Sequence, residues 1–208
     1  MKKGLFITFE GPDGCGKTTV CKMVYDRLIS EGFDAIHTRE PGGIEIAEQI
    51  RNVILNPENT KMDARTEALL YAASRRQHLV EKVIPAMNAG KIVVCERFVD
   101  SSLAYQGCGR ELGFDAILEI NEFAIEGLYP NKTIYLDVDE ETGLARIKDR
   151  DFKDRLDQES IEFHKRVNEG YKKVVESFKD RIEVIDASKP LEEVVEASYK
   201  AVKELIND

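Results

Sequence analysis

Residues 11–18 read Gly-Pro-Asp-Gly-Cys-Gly-Lys-Thr, a match to G-x-x-x-x-G-K-[ST]. No other stretch restricts the fold so tightly. The glycines permit backbone conformations that turn several N–H groups inward around an anion. The arrangement needs a strand leading in and a helix leading out, because the helix N-terminus supplies partial positive charge. Both are present: Leu5–Glu10 reads as a strand, and Val20, Met23, Val24 and Leu28 recur at helical spacing. Glycine makes up about 7% of ordinary sequence, so a chance match somewhere in a chain of this size is about 1%. In such a loop the backbone of Gly11, Pro12, Asp13, Gly14, Cys15 and Gly16 forms the cradle, continued by Thr18 and Thr19. Lys17 reaches the β- and γ-phosphates of a nucleotide, and the Thr18 hydroxyl can bind Mg2+. Cys15 reads as a bystander side chain whose modification blocks nucleotide entry.

The rest of the chain alternates in the same way. Ala35–Thr38, Lys91–Cys95, Thr133–Asp137 and Ile182–Ile185 are strand-like. Helical patterning covers about 45–55, 65–89, 114–126, 140–148 (capped by Asp139) and 160–178, and closes with Leu191, Val194, Val195, Val202 and Leu205. Alternation of this kind predicts an α/β architecture, a five-stranded parallel sheet with helices on both faces, and the phosphate loop makes it a P-loop NTPase fold. We expect one domain over 1–208. Ligands of such sheets bind beyond the carboxyl ends of the strands, so the turns after Glu10, Thr38, Cys95 and Asp137 should share one edge.

Composition excludes several roles. The chain has 208 residues and a net charge of −9, where a nucleic-acid or anionic-membrane binder should be basic. We therefore expect no nucleic-acid and no membrane partner. The N-terminus lacks the long apolar core of a signal peptide. The four cysteines, Cys15, Cys21, Cys95 and Cys108, form no CxxC pair and read as free thiols in a reducing cytoplasm. The three histidines show no zinc-ligand spacing. A GTPase would carry N-K-x-D, and the nearest string, Asn131-Lys132-Thr133-Ile134, lacks the acid.

Further strings narrow the choice. Thr38-Arg39-Glu40-Pro41-Gly42-Gly43 follows the second strand, and Tyr71 to His78 lies on a helix. Glu96-Arg97-Phe98 ends the third strand, followed by Ser101-Ser102-Leu103-Ala104-Tyr105-Gln106-Gly107. With the loop, these resemble the thymidylate kinase family, which phosphorylates dTMP to dTDP with ATP, and the resemblance spans essentially the whole chain. It implies ATP and Mg2+ as cofactors, a cytoplasmic enzyme and a homodimer formed through helices. The residues agree with the chemistry. The acceptor phosphate is already ionised near pH 7, so catalysis is positioning and charge neutralisation. The chain offers many arginines and no Ser–His or Cys–His arrangement.

By this resemblance, Asp13 helps position the acceptor phosphate, although Asp is also a favoured turn former. Arg97 clamps the phosphates, and Arg39, Glu40 and Arg51 match substrate positions. Tyr71 and Arg75, four apart, share a helix face. The ring can stack on a base while the guanidinium donates to a carbonyl. Gln106 can donate and accept at the thymine N3–H/O4 edge, with Ser102 beside it and Tyr105 near the sugar. Thr18 and Glu96 are the metal candidates. Glu96 departs from the family's usual Asp, and its extra methylene moves the carboxylate by roughly 1.5 Å. The basic run Arg146 to Arg155 reads as a lid over approximately 146–157. Arg146 lies toward the nucleotide, and Arg150 and Arg155 are candidates for the transferring phosphoryl. A salt-bridged helix end carries the same pattern of alternating charge. The competing readings are a kinase for another mononucleotide or nucleoside, a nucleotide-binding regulator, and a catalytically dead homologue.

Overall fold

The computed structural model describes residues 4–148, 155, 156 and 158–207. Five parallel strands form its sheet: β1 (Leu5–Glu10), β2 (Ala35–Arg39), β3 (Ile92–Glu96), β4 (Lys132–Asp137) and β5 (Ile182–Asp186). Their spatial order is β2-β3-β1-β4-β5. Each strand was legible in the sequence to within about a residue at either end. β1 is central, with Phe9 opposite Glu96 of β3 and Ile134 of β4. Covered on both faces, it has no use for polar alternation, and Phe6–Glu10 are all buried.

Ile7 and Phe9 pack on one face against α1 (Lys17–Ser30) and α9 (Leu191–Asn207), through Val20, Val24, Tyr199 and Val202. Phe6 points to the other face, toward Leu79, Phe98 and Ile117. That face is built from α3 (Ala64–His78), α4 (Ile84–Asn88), α5 (Val99–Ser102), α6 (Phe114–Ile125) and α8 (Ile161–Ser177). Two helices stand nearer the ligand edge, α2 (Glu45–Leu55) and α7 (Glu140–Lys148). Asp63 caps α3, Ser160 caps α8 and the Asp139 carboxylate accepts the Thr142 N–H at 2.8 Å, as its position in the sequence suggests.

Two segments differ from the sequence expectation. The continuous helical pattern over 65–89 is broken by a π-helical turn at Leu79–Val83. Pro85 has no N–H to give to the carbonyl of Glu81, and its ring would strike that carbonyl in an α-helix, so the wider turn accommodates it. The segment after β3, which lacks helical periodicity, forms α5 and a second π-helical turn at Leu103–Gly109. It is buried on nearly all sides, so no apolar stripe marks it.

The phosphate loop meets α7 backbone to backbone. A β-carbon on Gly14 would lie 2.1 Å from the Gly143 carbonyl oxygen, and one on Gly143 would lie 2.8 Å from that of Asp13. Neither position has room for a side chain.

Candidate active site

Gly16 precedes α1 in the left-handed region, with φ 88°, and no side chain caps the helix. The first-turn amides thus face the loop unclaimed by any capping group, as an anion cradle requires. The buried Lys17 bends back over the loop. Its Nζ donates to the Pro12 carbonyl at 3.2 Å and lies 3.6 Å from Asp13 Oδ1. Cys15 requires a correction. Its side chain is 2% exposed and packs in the core with Ile7, Phe9 and Val20, and burial raises its thiol pKa. The thiol lies beneath the loop, so it does not guard nucleotide entry. Only the Cys15 backbone belongs to the cradle.

Thr18 Oγ1 donates to Glu96 Oε1 at 2.7 Å. A hydroxyl and a carboxylate are hard oxygen donors, suited to a divalent cation that keeps several waters and phosphate oxygens. Among the described residues, no cluster of three or more His, Cys, Asp or Glu side chains could hold an ion by itself. The longer Glu side chain at position 96 still reaches the loop hydroxyl.

Beside the loop opens a cleft of about 440 Å3. At its inner end stands Arg97, a non-glycine residue at φ 64°. That conformation costs roughly 1–2 kcal/mol and aims the guanidinium back across the loop. Its Nη2 donates to Asp13 Oδ1 at 2.6 Å and to the Tyr105 hydroxyl at 3.3 Å. Its Nη1 donates to Ser101 Oγ at 3.0 Å and to the Tyr171 hydroxyl at 3.2 Å. Tyr105 in turn donates to Asp13 Oδ2 at 2.7 Å. Burial works against a charge on Asp13, but Arg97, Lys17 and the Tyr105 hydroxyl outweigh it and hold the carboxyl well below the usual range. Behind this group, Glu10 accepts from the Phe98 N–H at 2.6 Å, Ser101 Oγ at 2.6 Å and the Tyr171 hydroxyl at 3.1 Å. Burial and the nearby Asp100 push its pKa up to about 7.

Arg75 also lines the cleft and is 2% exposed. Its Nε donates to Glu40 Oε2 at 2.7 Å, Nη1 to Ser102 Oγ at 3.0 Å and to Asn121 Oδ1, and Nη2 to the Phe98 carbonyl at 2.9 Å. Glu40 Oε1 meets His78 Nδ1 at 2.9 Å, and His78 Nε2 meets Thr38 Oγ1 at 2.7 Å. Glu40, 3% exposed, thus serves chiefly to hold Arg75. Tyr71 lines the wall one turn before Arg75. Arg39 and Arg51 line the mouth, Arg39 paired with Glu48 at 2.9 Å and Arg51 donating to the Pro41 carbonyl at 2.9 Å.

Gln106 lines the cleft too, and its Nε2 donates to Glu67 Oε1 at 2.8 Å. Glu67 also takes Arg155 Nη2 at 2.5 Å, while Arg155 Nε donates to the Ile54 carbonyl at 2.8 Å. Arg155 is therefore buried behind Gln106, on the far side of Glu67, and does not line the cleft. Arg146 sits on the other side of the loop, donating to the carbonyls of Gly14 and Ala187 at 3.4 Å each. Arg150 lies outside the described residues.

Sequence reasoning missed Glu67, Asn121, Ser101 and Tyr171. Glu67 had a signal, since it precedes Tyr71 and Arg75 by four and eight residues on the same helix face. Tyr171 carried no such signal, being one helical position among others in 160–178.

The sheet order, the glycine cradle and the uncapped helix define a P-loop NTPase fold. Beside the cradle opens one arginine-lined cleft of small-molecule size. The thymidylate kinase family model matches residues 9–198. The chain is 60% identical over 207 residues to a thymidylate kinase of Geobacillus sp. (strain WCH70), covering 98% of each chain. It is also 60% identical over 205 residues to one of Enterococcus faecalis, covering 97% of each. A crystal structure of thymidylate kinase from Ehrlichia chaffeensis superposes with a TM-score of 0.80 at 31% identity, covering 97% of this chain and 99% of that one. The chain belongs to the thymidylate kinase family.

Proposed function

We infer that the chain is a dTMP kinase that transfers the terminal phosphoryl group of ATP to the phosphate of dTMP, giving dTDP. Family membership supports this reading. The single observation that carries it here is the arrangement of one cleft. The Lys17 and Asp13–Arg97 cluster lines the same cleft as the hydrogen-bonded group of Arg75 and Ser102, with Gln106 on its wall.

The loop amides and Lys17 bind the donor phosphates. Arg146, beside the loop's outer wall, faces the nucleotide. Arg97, fixed by Asp13 and Tyr105, holds the acceptor phosphate near the loop, with Arg39 and Arg51 at the mouth drawing in the anion. The acceptor oxygen is ionised near neutral pH, so no general base is needed and rate comes from alignment and charge neutralisation. Thr18 and Glu96 would hold Mg2+, which would supply further neutralisation of phosphate charge. Tyr71 stacks on thymine. Among the described residues, four of the five Arg75 N–H donors go to protein neighbours, which leaves one on Nη2 for a base carbonyl. Gln106 meets the N3–H/O4 edge, and Tyr105 borders the sugar. The Arg155–Glu67 ion pair favours an anchoring role for Arg155, which leaves Arg150 as the lid arginine for the transferring phosphoryl.

The chain works as a single kinase domain in the cytoplasm. Among its described residues, no helix is long and apolar enough to cross a membrane. Leu69 on α3 and Phe123 on the adjacent α6 are 57% and 89% exposed, which supports a homodimer through these helices. The test offers dTMP, dUMP, dCMP, UMP, AMP and GMP separately with ATP and Mg2+ and separates the products by chromatography. We expect dTDP to dominate. A different preferred acceptor overturns the base assignment, and ATP binding without transfer to any acceptor favours a regulator or a dead homologue.

A further inference from the structure

We propose that Glu67 is the positioning residue that sets the chain's choice between pyrimidine bases, by fixing which way the Gln106 amide faces. The proposal rests on the dTMP kinase reading above. Glu67 is completely buried on α3 and does not line the cleft, so it acts only through neighbours.

Its carboxylate is held by two guanidiniums. Arg110 donates through Nη2 at 2.9 Å and through Nε at 3.2 Å, and Arg155 donates through Nη2 at 2.5 Å. Burial alone would raise the Glu67 pKa, but the Arg110 bonds and charge, with Gln106 and Arg155, bring it below the ordinary value. An ionised carboxylate can only accept. The Gln106 amide must therefore turn its NH2 group toward Glu67, and the observed Nε2 to Oε1 bond of 2.8 Å has that sense. Oε1 of Gln106 is then left for the cleft, with the second N–H beside it. Were residue 67 a neutral amide, it could donate as readily as accept, and Gln106 could rotate by half a turn at little cost.

The consequence for recognition is a question of sign. Thymine and uracil carry an N3–H donor, whereas cytosine presents a bare N3 acceptor at the same place. An acceptor fixed in the cleft pairs with the first two and opposes the third. Acceptor groups brought together leave both without a partner, which is where polar sites gain most of their discrimination. Glu67 thus sets dTMP and dUMP apart from dCMP and has no bearing on the thymine methyl.

The test compares kcat/KM for dTMP, dUMP and dCMP in wild type, in Glu67→Gln, and in the reciprocal swap Glu67→Gln/Gln106→Glu. Thermal melting establishes that each variant is folded. For Glu67→Gln we expect the dTMP-to-dCMP ratio to fall by about tenfold or more, the worth of one well-placed hydrogen bond. The dTMP-to-dUMP ratio should stay unchanged. A merely structural role would lower all three together. The swap keeps one carboxylate within the 67/106 pair and again gives the cleft an acceptor. It keeps the proposal testable if Glu67→Gln does not fold, and it should recover the preference for dTMP over dCMP. A wild-type ratio in Glu67→Gln, or a swap that stays unselective, overturns the proposal alone. A wild-type chain that does not phosphorylate dTMP overturns the functional reading together with it.

Discussion

Replacing Glu40 with Gln isolates the cost of one buried charge. Glu40 Oε2 takes Arg75 Nε at 2.7 Å and Oε1 meets His78 Nδ1 at 2.9 Å, with both side chains 2% exposed or less. Gln has nearly the same shape and can keep both contacts. Its oxygen can face Arg75, its NH2 can face His78, and the imidazole can change tautomer because Thr38 Oγ1 at 2.7 Å from Nε2 can either donate or accept. Cavity formation and unmet hydrogen bonds are thereby removed from the comparison, and the loss of charge opposite a buried guanidinium remains. Breaking a buried pair by removing one partner costs about 3–5 kcal/mol, and with the hydrogen bonds retained the lower end, about 3, applies. With an m-value of about 2–3 kcal/mol/M, the urea midpoint should fall by about 1–1.5 M. The melting temperature should drop by about 6–12 °C at roughly 2–4 °C per kcal/mol. Glu40→Ala should fall further, because it adds a cavity. KM for dTMP should rise in both, since Arg75 loses the anchor that aims it. A midpoint for Glu40→Gln within about 0.3 M of wild type, less than about 1 kcal/mol, would refute the argument that this ion pair holds Arg75 in place.

Three more outcomes are expected. Lys17→Ala should lower kcat by about 10²–10³ with an unchanged melting temperature, since among the described residues its Nζ bonds only within the loop; near-normal turnover would remove it from the chemistry. Glu10, with a folded pKa of about 7 against an ordinary 4.5, keeps its proton in the folded chain where the unfolded chain has lost it. Its contribution is complete below about pH 4.5 and disappears as pH rises through about 7, a change of up to about 3 kcal/mol. Melting temperature should therefore fall more steeply over this range in wild type than in Glu10→Gln, and parallel curves would contradict the assignment. Iodoacetamide should label the half-buried Cys108 first and leave Cys15, Cys21 and Cys95 untouched until the chain unfolds, as peptide mapping would show; early loss of ATP binding through Cys15 would return its thiol to the loop's mouth.

The parts of the site readable in the sequence are those set by local geometry. Gly11 to Thr18 is legible because its function needs glycines at fixed spacing. Arg97 and Glu96 are legible because a strand end aims them at the ligand edge; helical spacing puts Tyr71 and Arg75 on one face, but only the family resemblance placed them in the site. Support from the second layer is less visible. Asn121 meets Arg75 across 46 residues of chain and Tyr171 meets Glu10 across 161, and no periodicity records such pairs. Leu103–Gly109 escaped for a related reason: a segment buried all round has no polar face to contrast with an apolar one. Cys15 shows the converse limit. Its place within the motif is plain, but which way its side chain turns depends on the packing of β1 and α1.

The contact between Gly14 and Gly143 joins two tasks through main chain alone. Side-chain interfaces can be retuned one residue at a time, as neighbours repack. A joint made of carbonyls and α-carbons has no such freedom. Any residue larger than glycine on either side would push the phosphate cradle away from the helix that carries Arg146, altering donor binding and arginine placement in one event. Chimeras that exchange the segment after β4 between relatives should therefore succeed only when both glycines stay in place, however different the intervening charges are.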